Sequence, residues 1–362
     1  MATVASSDVA RGPLAGTHLR AAVVRPLRAG AYSMYPHSVA YFDAGRQVVL
    51  GEQFPDGTSR IFAYRFADGG ERELCRFPVP SLWADIALDA DVLAVVAQER
   101  LWVMDPNDLA SLREVYHAPA GLVVNGLCSI SRDGSKVLLT TRPGGKGGAG
   151  VLVDVASGRA TTFVEHDWWA DHFVFSPFDD SWAAYGWQSW TTPRYKTHGN
   201  LSYVWHAEQA PHGRQAFDQV TGAADPARPL HTTHDRCAFD ELAYYTIVYP
   251  DSPGGPRGLW LVPVDGRPPR LVSASPNDWH CDVTRDGKWA VVDTIGPWGD
   301  PRGAGHSIVL VEVATGRRQE LARCHSKAHP YHPHPTFSPD GRTILFNSIV
   351  DGAPLVQAID LT

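Results

Sequence analysis

Three histidines fall within six residues towards the end of the chain, in His329-Pro330-Tyr331-His332-Pro333-His334-Pro335. A neutral imidazole offers a nitrogen lone pair to a divalent metal, and it can equally hold or release a proton near neutral pH. In extended backbone successive side chains alternate between faces, so His332 and His334 are expected on the same side. The plainer alternative is a proline-rich loop carrying solvated histidines. The other histidines, and the elements that must position them, favour a metal site.

The histidine segment runs into Thr336-Phe337-Ser338-Pro339-Asp340-Gly341, an apolar stretch ending in a turn. The same theme recurs along the chain. An apolar run, a turn carrying Asp and usually Gly, and a second apolar run appear at Tyr41 to Leu50, Ile86 to Val96, Ser129 to Leu139, Phe173 to Tyr185, Cys237 to Tyr245 and Asp282 to Val292. Further strand-like runs follow most of these, such as Gly258-Leu259-Trp260-Leu261-Val262. Seven units of roughly 40 to 50 residues, with alternating polarity and no capped helical stripe, predict an all-β fold, a seven-bladed β-propeller. The seventh unit stops after about three strands, so residues 18–24 are expected to supply its outer strand and close the ring. Residues 1–362 are read as a single propeller domain, with 1–17 a flexible N-terminal segment. A pair of β-sandwiches is the competing architecture.

Aligning the units on the turn aspartate brings histidines into register. His37, His234, His280 and His334 each lie six residues before Asp43, Asp240, Asp286 and Asp340. Matching Ser176 to Ser338 puts His172 at the same place, while the second and third units carry Trp83 and Leu127. These positions are expected at the starts of the innermost strands, around one mouth of the central channel. A local capping role would account for one or two such histidines but not for five. The expected metal ligands are therefore His280, His329, His332 and His334, with His37, His172 and His234 lining the pocket. An all-imidazole set favours zinc, copper or nickel by ligand type. Asp235, Asp278 and Asp282 are candidates for orienting imidazoles.

A second constellation is Gly186-Trp187-Gln188-Ser189-Trp190-Thr191-Thr192-Pro193-Arg194-Tyr195. Trp187, Gln188, Trp190 and Tyr195 suit binding of a sugar ring, and Arg194 suits bidentate pairing with a carboxylate. Trp168, Trp169 and Trp279 are placed to extend the aromatic wall. A surface loop with a buried tryptophan is the alternative.

Net charge of −7 argues against a nucleic-acid partner, and no run is long and apolar enough to span a bilayer. Five scattered cysteines without a paired motif fit reduced core thiols, and with no signal-peptide pattern they suggest a cytoplasmic protein. Nothing in the composition indicates an oligomeric state.

His332-Pro333-His334-Pro335-Thr336-Phe337-Ser338-Pro339-Asp340-Gly341 resembles the signature of oligogalacturonate lyases, which are seven-bladed propellers. Trp279-His280 and His234 resemble two further elements of that family, so that the likeness spans about residues 160–362. The resemblance implies a metal, manganese in that family, on His280, His332 and His334. It implies a lyase that cleaves small uronate-containing, acidic oligosaccharides by β-elimination across C4–C5. The family's pocket arginine falls on Arg194. His329 stands where the family has glutamine, and its base histidine falls on Trp187, which cannot take a proton. His172 and His234 are then the expected bases, with His198 and Lys196 as further candidates. An enzyme acting on another uronic acid or glycoside, or a non-catalytic binding propeller, would use the same mouth.

Overall fold

The computed structural model describes residues 19–143, 147–188, 201–218, 220 and 223–362. These form seven antiparallel sheets, each the blade of a β-propeller, with no α-helix among the described residues. The last blade pairs Thr336–Phe337, Thr343–Val350 and Ala353–Leu361 with Ala22–Ala29 as its outer strand. The first and last stretches of the ring thus share one sheet, closed by the pairing of Ala22 with Leu361. The expected closing strand is present but lies slightly later in the chain than residues 18–24.

Middle strands are mostly apolar and buried because neighbouring blades cover both of their faces. In the sixth blade, Trp289–Thr294 and His306–Glu312 are almost wholly buried. The outer strand Asp108–His117 of the second blade alternates towards solvent instead. The Asp-Gly turns have a specific cause. Asp340 Oδ1 accepts from Ser338 Oγ (2.6 Å) and Arg342 N (3.1 Å), and Gly341 follows at φ +67°, where a side chain would be strained.

The inner strands do not begin at the histidines. Pairing continues upstream of them, and the ladder breaks at a bulge: between Asp171 and Val174, Thr233 and Arg236, and Asp278 and Cys281. His172 and His234 take left-handed backbone in these bulges, with φ of 58° and 56°. That conformation is uncommon for a residue with a side chain, and it turns the imidazoles out of the sheet into the channel. In the first blade His37 lies in the gap between Ala31–Ser33 and Tyr41–Phe42. His332 and His334 lie in irregular backbone before Thr336, not in a strand, and His334 is left-handed at φ 44°. Their approach is a product of loop geometry rather than strand alternation.

Two residues beyond the ring of histidines, polar groups pin the blades together. Asp85 accepts from Val39 N (2.6 Å) and Ile130 N (2.9 Å), tying the first three blades. Asp282 accepts from Arg236 Nε and Phe337 N, both at 2.7 Å, tying the last three. Arg236 also donates to His37 O (3.2 Å), so its buried guanidinium crosses the channel beneath the mouth.

Candidate metal centre and active site

His280, His332 and His334 converge, each offering one donor atom, with these atoms within 4.8 Å of one another. His280 comes from an inner strand, the other two from the loop entering the last blade. Asp293, buried on the second strand of the sixth blade, holds two of them. Its carboxylate accepts from His280 N (2.7 Å), His280 Nδ1 (2.9 Å to Oδ2) and His334 N (3.2 Å). Burial pushes the Asp293 carboxyl up to about 7, but both of its oxygens accept backbone N–H bonds, so it faces His280 as an acceptor; His280 then donates from Nδ1 and leaves the Nε2 lone pair for the cluster.

Both ring nitrogens of His334, and Nδ1 of His332, are buried without a hydrogen-bond partner. Leaving such an atom unsatisfied costs about 1–3 kcal/mol. Burial lowers the basicity of all three rings, His332 to about 3 and the other two well below the usual value; the neighbouring imidazoles add to this. Neutral, convergent and otherwise unsatisfied nitrogens are the donor set that a divalent transition metal takes. The residues present therefore fit a metal.

His234 faces this cluster, its ring centroid 4.2 Å from that of His280. His234 Nδ1 lies 2.8 Å from Trp279 O, a carbonyl that can only accept. Nδ1 is therefore protonated, and Nε2 carries the lone pair. Burial, then His280 and His172, hold this ring neutral. His172 is placed differently. Its Nε2 is 3.3 Å from Tyr35 Oη and its Nδ1 is 3.3 Å from Gln188 Nε2, so both ring nitrogens are engaged.

Tyr35, like Asp293, escapes the sequence reading. Its buried ring sits 4.7 Å from His37, 4.8 Å from His334 and 5.5 Å from His172, at the centre of the histidine ring. Trp83, one of the two gaps in the histidine register, packs against Tyr35 and His334 and completes the wall. His37 stands between Tyr35 and His172, its Nε2 buried without a partner. The His329 ring lies 4.0 Å from that of His332, tilted at 47°, but stands outside the three-histidine cluster. Trp187 stacks on Trp168 at 4.6 Å, and Trp279 packs on His332 at 4.4 Å. Gln188 is buried. Trp190, Arg194, Tyr195, Lys196 and His198 lie outside the described residues.

The acidic partners differ from expectation. Asp278 pairs with Arg318, Asp282 with Arg236, and Asp235 accepts from Ser202 Oγ at 2.8 Å. None of them orients an imidazole, because each carboxylate points between blades rather than into the channel. Asp293 takes that role, and its one signal in the sequence is a carboxylate inside the apolar run Trp289 to Thr294.

No protein-family model matches the chain. A curated relative, the oligogalacturonide lyase of Pectobacterium atrosepticum, is 23% identical over 228 residues, which are 56% of this chain and 53% of the relative. The match thus spans about half of the relative's length. Among solved structures, an oligogalacturonate lyase in complex with manganese superposes with a TM-score of 0.77 at 18% identity, over 98% of this chain and 97% of that one. The oligogalacturonate lyase of Vibrio parahaemolyticus gives 0.78 at 16% identity, over 93% of each chain. TolB of Acinetobacter baumannii, over 87% of this chain and 79% of its own, gives 0.51 at 13%. At these identities the likeness shows the shared propeller fold. No described helix is long and apolar enough to cross a membrane.

Proposed function

We propose that this chain is a metal-dependent carbon–oxygen lyase that cleaves small uronate-containing oligosaccharides, of the oligogalacturonate type, by β-elimination across C4–C5. The observation that carries the reading is the placing of His234, a neutral imidazole with Nδ1 against the Trp279 carbonyl, beside the convergent His280, His332 and His334. The sequence relative and two of the structural neighbours bear the name of such lyases, which supports the substrate class.

Elimination removes the C5 proton, which lies α to a carboxylate and is weakly acidic. The carboxylate's charge must be offset, and a base must stand beside C5. His280, His332 and His334 would hold the divalent metal, with His329 beside them. When bound, that metal supplies positive charge to offset the uronate carboxylate and the charge that develops on it. Manganese is the ion of the structural neighbour, whereas the all-nitrogen donor set also suits zinc or nickel.

His234 takes the C5 proton on Nε2, the electron pair left on C5 forms the C4=C5 double bond as the C4–O bond breaks, and the departing oxygen takes a proton from water. The Nδ1–H bond to Trp279 O stabilises the imidazolium so formed and keeps the ring aimed. His172, held at both nitrogens by Tyr35 and Gln188, positions the wall opposite. Arg194 is assigned to the carboxylate, and Trp187, Gln188, Trp190, Tyr195 and His37 to the sugar. The partner is thus a small acidic oligosaccharide, with no nucleic acid or membrane involved, in the cytoplasm.

The test is the absorbance of the new C4=C5 double bond. Chelated protein reloaded with manganese, zinc or nickel would be given saturated uronate di- and trisaccharides. Absorbance that grows only with metal supports the lyase. A flat trace across the panel with metal bound overturns it.

A further inference from the structure

His332 and His334 reach the metal centre from residues 325–335, which belong to no strand. Pro330, Pro333 and Pro335 leave this segment short of N–H donors, so it cannot build a ladder of its own. Its buried carbonyls need donors from other elements, and the two ligands it carries need a fixed backbone. For His334 that backbone is held by Asp293, which accepts from its N–H at 3.2 Å. Asp293 takes no bond from the backbone of His332.

The backbone of His332 is held by Asn347, a polar residue on the last blade's second strand, Thr343–Val350. Asn347 is 1% exposed. Its Nδ2 donates to His332 O at 2.8 Å and, at a longer 3.4 Å, to Pro330 O. Its own backbone N–H donates to Pro333 O at 2.7 Å. On the other side its Oδ1 accepts from Ser33 N at 2.7 Å. The amide orientation follows from these partners, because oxygen must face the N–H and nitrogen the carbonyls. Ser33 ends the short strand Ala31–Ser33 of the first blade, two residues before Tyr35 and four before His37. One buried side chain therefore joins the segment that carries two metal ligands to the segment that carries the centre of the histidine ring.

We propose that Asn347 is a positioning residue of the metal centre. Its amide fixes the backbone of His332 against the first blade, and so sets the affinity for the ion. The inference rests on His280, His332 and His334 as the ligands, but not on the reaction that the bound metal serves. A hydrophobic side chain of similar size would leave the His332 carbonyl and the Ser33 N–H buried without partners, which accounts for an amide in an otherwise largely apolar strand.

Two variants of the full chain test this. Asn347→Asp is close to isosteric and keeps an oxygen for Ser33 N, but it sets an acceptor against His332 O and Pro330 O. Asn347→Ser adds no bulk and is too short to span the two sides. Chelator-competition titration should show metal Kd raised about 10–100-fold in both. The visible spectrum of the cobalt-loaded protein should change in band position or intensity, because one imidazole has moved. A purely structural tie would lower Tm of the chelated protein and leave both readings alone. An unchanged Kd and an unchanged cobalt spectrum, in either variant that melts cooperatively, therefore overturn the proposal. So does a parent protein whose metal binding survives exchange of His332 for alanine undiminished. Weakened metal binding in the variants supports the proposal even where the parent shows no elimination, a result that would overturn the lyase reading alone.

Discussion

His280 Nδ1 lies 2.9 Å from Asp293 Oδ2, and the backbone N–H of the same histidine donates to Asp293 Oδ1 at 2.7 Å. One buried carboxylate from the next strand therefore holds both the ring and the backbone of a residue in the bulge, and it also takes the N–H of His334. Replacing Asp293 with alanine should lower metal affinity about 10–100-fold, with activity falling accordingly. Chelator-competition titration reads this directly. Unchanged affinity in Asp293→Ala would show that the histidines are aimed without it.

His234 and His172 should separate as base and positioning residue. His234→Ala is expected to lower kcat by roughly 10²–10⁴ while sparing metal and substrate binding. His172→Ala should cost less and act mainly on KM, since both of its nitrogens are engaged by Tyr35 and Gln188. Equal losses in kcat for the two variants would remove the distinction drawn from their hydrogen bonds.

Metal should stabilise as well as activate. An ion that binds only the folded state adds RT ln(1 + [L]/Kd), about 2.7 kcal/mol at a hundredfold excess over Kd. Tm should therefore rise on loading the chelated protein. It should rise more with zinc or nickel than with manganese at equal concentration, following the affinity order for nitrogen donors. The triple exchange of His280, His332 and His334 for alanine should abolish the rise, and a retained rise would place the ion elsewhere.

Asp85 gives a pH dependence of definite sign. Burial raises its pKa to about 6, against the opposing effect of its bonds from Ile130 N and Val39 N. The folded state then holds a proton that the unfolded state has released. The contribution to stability is full below about pH 4 and is lost as pH rises through about 6. Asp85→Asn abolishes this titration but sets an amide N–H against one of the two donors. Its deficit in Tm relative to the parent should be larger at pH 4.5 than at pH 7.5. A deficit that is constant or grows with pH contradicts this.

The blades were legible in the chain because each repeats one physical unit, an apolar strand followed by an Asx turn that needs Asp and Gly at set places. Asp340-Gly341 and Asp286-Gly287 mark the same corner of successive blades, and counting back six residues from the aspartate finds His334 and His280. That register needs no knowledge of distance, because a closed ring of like blades brings like positions together. The sequence therefore determined the propeller, its closure by the first strand and the histidines that meet at the mouth. Tertiary structure alone decided how they meet. The bulges that turn His172 and His234 inwards depend on pairing with a second strand. Asp293 reaches His280 across a strand pair, thirteen positions away, with no periodic signal to announce it. Tyr35 enters the centre of the histidine ring from the gap in the first blade's inner strand. The tautomers of His234 and His280 follow from a carbonyl and a carboxylate that only the folded chain brings within 3 Å. Hydrogen bonding is short-ranged and directional, so the choice between a ligand, a base and a positioning imidazole is made by contacts that spacing along the chain does not encode.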